Sequence, residues 1–147
     1  MLDTSFIGME TNPRSVDVEK GQLKFFAEAT GETNPVYFDE AAAAAAGYPS
    51  LPAPPTFLFC LETMAPEKED VLGQLGVNIG RVLHGEQRFT YGAPILAGDT
   101  ITLTTKVADI YEKSGGALDF IVKETSAVNQ KGEAVGAGRT VIVVRNG

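Results

Sequence analysis

The chain has 147 residues, a formal net charge of −7, one cysteine and one histidine. One domain with a single sizeable core is expected at this length. The acidic balance without clustered Lys/Arg argues against nucleic acid, one Cys excludes an internal disulfide, and one His with one Cys cannot build a typical zinc or iron site.

No charged, apolar leader opens the chain and no apolar run is long enough to span a bilayer, so a cytoplasmic protein off the membrane is expected. Neither GxxxxGK[ST] nor a strand–GxGxxG–helix unit occurs, so no nucleotide cradle and no cofactor is expected. Residues 17 to about 65 read helical and the remainder reads β. "DVEKGQLKFFAEATG" offers Asp17 as an N-cap, Leu23, Phe26, Ala27 and Thr30 at helical spacing, and Gly31 as the stop. "GETNPVYFDE" follows, with Glu32, an Asn34-Pro35 turn and Tyr37. "DEAAAAAAG" is a short helix capped by Asp39 and ended by Gly47.

In "YPSLPAPPTFLFCLETMAPEKE", Pro54 or Pro55 opens a further helix. Its body, with Phe57, Leu58, Phe59, Cys60, Leu61 and Met64, is apolar on nearly all sides and calls for burial on all sides. The wrapper lies downstream. "RVLHGEQRFTYG", "DTITLTTKVADIYEK", "ALDFIVKETSAVNQ" and "EAVGAGRTVIVVRN" read as long strands. "LAGD", "SGG" and "QKG" read as hairpin turns between antiparallel neighbours. A curved antiparallel sheet around one buried helix follows.

"FFAEATGETNPVYFDEAAAAAAGYPSLPAPPTF" with "LHGEQRFTYGAPILAGDTI" resembles the MaoC-like (R)-specific enoyl-thioester hydratases and 3-hydroxyacyl-thioester dehydratases, nearest to their N-terminal-type, fatty-acid-synthase-like dehydratase domains. The resemblance implies a single α+β hot-dog domain over residues 1–147 and edge-to-edge pairing into a homodimer or a heterodimer with a related chain. The implied ligand is an acyl thioester of CoA or acyl-carrier protein. Catalytic members carry Gly-Asp-x-Asn-Pro-x-His, whose Asp and His grip one water. Here Glu32 stands at the Asp position, Asn34 and Pro35 match, and Tyr37 stands at the His position.

Those two departures bear on the chemistry. Glutamate keeps the carboxylate but lengthens its arm, and displacement of about an ångström can cost roughly a hundredfold. A tyrosine titrating near about 10 donates a proton at neutral pH but accepts one poorly. Glu32, Asn34 and Tyr37 are therefore the candidate catalytic residues of an altered cassette, against the alternative that they only shape a turn. Thr56 and Phe57, the first N–H groups after the two prolines, match the family's amides that bind the thioester carbonyl. Glu62, an acid in the apolar helix, is an alternative base of the kind some hot-dog thioesterases use, against a place at a dimer seam or a pairing with Arg81 or Arg88. His84 is a further alternative catalytic residue, and a structural role competes with it. Three functions remain open: a hydratase/dehydratase, a non-catalytic acyl-binding subunit of a heteromeric dehydratase, and a thioesterase using Glu62.

Overall fold

A computed structural model describes residues 1–65 and 70–147. Among these, five strands form one antiparallel sheet in the order β1-β3-β4-β5-β2: β1 (Arg14–Asp17), β2 (Val82–Tyr91), β3 (Thr100–Lys113), β4 (Leu118–Val128) and β5 (Ala134–Arg145). Four helices accompany them: α1 (Lys20–Ala29), α2 (Glu40–Ala45), α3 (Phe57–Met64) and α4 (Val71–Gln74).

The long hairpins form as their turn residues require. Ser114, Gly115 and Gly116 all have positive φ between β3 and β4, and Gly132 does between β4 and β5. "LAGD" differs. It turns tightly, with Asp99 accepting from the Leu96 amide at 2.9 Å, but it joins no hairpin. β2 pairs β5 and β3 pairs β1, so the two strands flanking that turn lie in different parts of the sheet. Asp17 is likewise not a helix cap. It ends β1 and accepts from the Thr100 hydroxyl at 2.7 Å, while Glu19 precedes α1. Asp39 does cap α2, accepting from the Ala41 and Ala42 amides.

Alternation along β3 sends Ile101, Leu103, Thr105 and Val107 to the concave face, all buried. α3 lies on that face. Phe57, Leu58 and Leu61 are buried there, as the apolar run requires, while Phe59, Cys60 and Met64 on its outer side are only half-buried. The close approach has a cause in β5. A Cβ at Gly136 would stand 3.0 Å from Leu58 Cδ2, and one at Gly138 2.7 Å from Glu62 Oε1. Two glycines two residues apart thus let the helix rest directly on the strand.

The interior is divided. One apolar cluster packs around α1 and α3, and another packs under α4 and the N-terminal segment. A polar stripe crosses the concave face between them. Thr105 and Thr125, opposite each other in β3 and β4, share a 2.9 Å hydrogen bond, and the Thr125 hydroxyl donates to Glu62 Oε2 at 3.1 Å. Farther along, the Thr140 hydroxyl donates to Gln87 Oε1 at 2.7 Å. The convex face bears charges instead, with Arg139 near both Glu86 and Glu124.

Candidate active site

The cassette begins where α1 ends. The Thr30 hydroxyl donates to the Phe26 carbonyl at 2.9 Å, Gly31 takes φ +74°, and the Glu32 amide returns to the Ala27 carbonyl at 2.9 Å. This closure turns the chain sharply and fixes Glu32. Its Oε1 accepts from the Thr33 amide at 2.9 Å and the Asn34 amide at 3.1 Å, so the carboxylate is tied into its own loop. Asn34 Oδ1 accepts from the Val36 amide at 3.1 Å and opens a single 3-10 turn, Pro35–Tyr37, with Pro35 at its first position.

That turn presents Tyr37, half-buried, to the cluster that also holds Tyr48 and Phe57. Burial pushes the Tyr37 phenol above its usual range, and the Glu32 carboxylate and Tyr48 push it further the same way. The phenol therefore stays protonated at neutral pH, where it can donate a hydrogen bond but cannot take a proton from water. Phe26 carries the loop to the start of α3, its ring edge-on to Phe57 at 5.4 Å and 71°.

The start of α3 offers a different pair of donors from the one the sequence implies. Phe57 donates its amide to the Pro54 carbonyl at 2.9 Å, closing a turn through Pro55 and Thr56. Of the expected pair, Phe57 is thus engaged. No backbone carbonyl among the described residues takes up the Thr56 or Leu58 amide. These two N–H groups sit at the positive end of the helix, where negative charge on a bound oxygen would be stabilised. Sequence reasoning passes over Leu58, because only the turn geometry shows which amide is used.

Glu62 and His84 are not brought to this site. Glu62 belongs to the polar stripe against Thr125 and Gly138, in the second half of α3. Its expected partner Arg88 instead pairs with Glu86. His84 bonds Gln87 Oε1 through Nε2 at 3.2 Å and packs against Phe59 at 5.3 Å. Among the described residues no group of three His, Cys, Asp or Glu could hold a metal ion, and no helix is long and apolar enough to cross a membrane.

Known proteins are similar to this chain. Residues 5–137 match the FAS1-like dehydratase domain region. The chain belongs to that family. Similar members include the UPF0336 protein of Streptomyces avermitilis, 39% identical over 147 residues, covering 98% of this chain and 95% of the relative. The UPF0336 protein of Thermobifida fusca is 35% identical over 133 residues, 90% and 86% of the two chains. Among solved structures, the truncated HadBC (3R-hydroxyacyl-ACP dehydratase) complex from Mycobacterium tuberculosis matches with TM-score 0.79 and 30% identity, covering 94% of this chain and 96% of that one. The ChsH1–ChsH2 complex from the same organism matches with TM-score 0.76 and 25% identity, covering 92% and 88%. This member of the FAS1-like dehydratase family thus has the hot-dog fold, and both of those neighbours are complexes.

Proposed function

We propose that the chain is the acyl-binding subunit of a heteromeric 3-hydroxyacyl-thioester dehydratase, working in the cytoplasm on CoA or carrier-protein thioesters. One observation carries this reading. The Glu32 carboxylate is held by two amides of its own loop, beside a phenol that stays protonated. The cassette keeps the family's turn but lacks a base that would deprotonate water.

A partner hot-dog chain with an Asp–His cassette would supply that base. Water adds its oxygen to the β-carbon of the 2-enoyl thioester, a proton reaches the α-carbon, and dehydration runs the same steps backwards. The Thr56 and Leu58 amides would hold the thioester oxygen while enolate charge develops. Similarity to the chains of the HadBC complex supports a partner-dependent role.

The test is hydration of crotonyl-CoA by the purified chain, alone and mixed with a hot-dog chain carrying Gly-Asp-x-Asn-Pro-x-His. The expected result is binding without turnover alone, and turnover on mixing that Glu32→Gln leaves intact. Strong hydration by the chain alone, lost in Glu32→Gln, would make Glu32 a true base and overturn the proposal. Thioester hydrolysis lost in Glu62→Gln would establish the thioesterase instead.

A further inference from the structure

A cavity of about 460 Å³ lies between the C-terminal half of α3 and strands β4, β5 and β2, at the opposite end of the helix from the cassette. Its size falls within the range of small-molecule sites, about 300–1,000 Å³. Phe59, Met64, Val82 and Ile142 give it apolar walls.

Its polar lining is unusual for a chain of net charge −7. Lys123 enters from the concave face of β4, a central strand. Its cross-strand neighbours are Val107 and Thr140, which are buried and carry no charge. Lys123 forms no ion pair or hydrogen bond among the described residues. Arg14 adds a second cation, with Nη2 donating to Thr105 Oγ1 at 3.4 Å, and His84 adds an imidazole. Among the described residues Glu62 is the one carboxylate in the lining, and its Oε2 is turned to the Thr125 hydroxyl. An ammonium in a half-enclosed, apolar-walled site calls for an anion.

We propose that this cavity binds an amphiphilic carboxylate — a free medium-chain fatty carboxylate or the carboxylate-bearing far end of an acyl group. The anion sits on Lys123, and the apolar body lies against Phe59, Met64 and Ile142. The site needs neither the cassette nor the thioester, so its fate is separate from that of the function proposed above.

Calorimetric titration of the purified chain with octanoate and with 1-octanol tests it. Octanoate should bind saturably at one site. 1-Octanol should bind about tenfold or more weakly, as expected for loss of one charge-assisted hydrogen bond. Lys123→Met should reduce octanoate to the level of octanol, and Lys123→Arg should retain the preference, with circular dichroism confirming that both variants are folded. Absence of saturable octanoate binding, equal binding of octanol, or a folded Lys123→Met with unchanged affinity would each overturn the proposal. Repeating the titration with a saturating long-chain enoyl thioester, 2-dodecenoyl-CoA, whose acyl tail is long enough to reach this end of α3, separates the two sources. Unchanged affinity assigns a pocket for a free carboxylate, competition assigns the far end of the acyl site, and both results support Lys123 as the anion's seat.

Discussion

Gly136→Ala tests the direct seating of α3 on β5. Gly136 pairs with Tyr91 on one side and Ala127 on the other, so its backbone cannot shift without disturbing two ladders. The new methyl group would stand 2.9 Å from the Thr90 carbonyl oxygen and 3.0 Å from Leu58 Cδ2. Carbon atoms prefer about 3.5–4.0 Å, so the carbon contact is short by at least half an ångström. Leu58 is 1% exposed and has no room to retreat, and the Thr90 oxygen is backbone. Overpacking of this kind destabilises by about 1–3 kcal/mol. Loss of glycine's freedom in the unfolded chain offsets about 0.4–1 kcal/mol. The net loss is then roughly 1–2 kcal/mol. In urea, with a slope near 2 kcal/mol/M, the unfolding midpoint should fall by about 0.5–1 M. Adding Leu58→Ala should produce less than the sum of the two single losses, because the second change removes the clash. A Gly136→Ala midpoint at or above that of the wild type would refute the direct seating.

Other expectations follow from the same geometry. Leu58→Asp should leave no folded protein by circular dichroism, since an unpaired buried charge rivals a domain's whole stability. Tyr37 has a higher pKa folded than unfolded, so the stability it contributes is present below about pH 10 and is lost as pH rises through the folded value. Tyr37→Phe should flatten the alkaline end of a stability–pH curve, and an unchanged curve would contradict this. Burial also raises the Cys60 thiol, so its alkylation at pH 7 should be slower in the native protein than in urea, as a thiol-reactive dye would report. Glu32→Asp with Tyr37→His should raise crotonyl-CoA hydration by the chain alone, measured by loss of enoyl absorbance.

Legibility in the sequence followed the range of the interactions. The cassette turn was readable because its bonds join residues one or two apart, as between Glu32 and Asn34 or Asn34 and Val36. β3, β4 and β5 were readable because each is long enough for composition to dominate. β1, with four residues, was not, and Asp17 looked like a cap because its true partner, Thr100, is 83 residues away. The polar stripe was equally hidden. Thr105, Thr125, Gln87 and Thr140 are ordinary strand residues until register lines them up on one face. "VGAG" in β5 did carry a signal, since glycines at alternate positions mark a close approach, but the partner of that approach needs the fold.

Strand order leaves β2 at the margin of the sheet, with Leu83 47% and Tyr91 53% exposed along it. Such a margin is an adhesive that accepts any extended backbone, cognate or not. On the heteromeric reading proposed above, a cell making this chain would face a supply problem. Copies produced in excess of whatever covers β2 carry an open template into a crowded solution. Balanced synthesis with the covering chain would then be a condition of solubility as well as of activity, and overexpression alone should yield self-association that co-expression relieves.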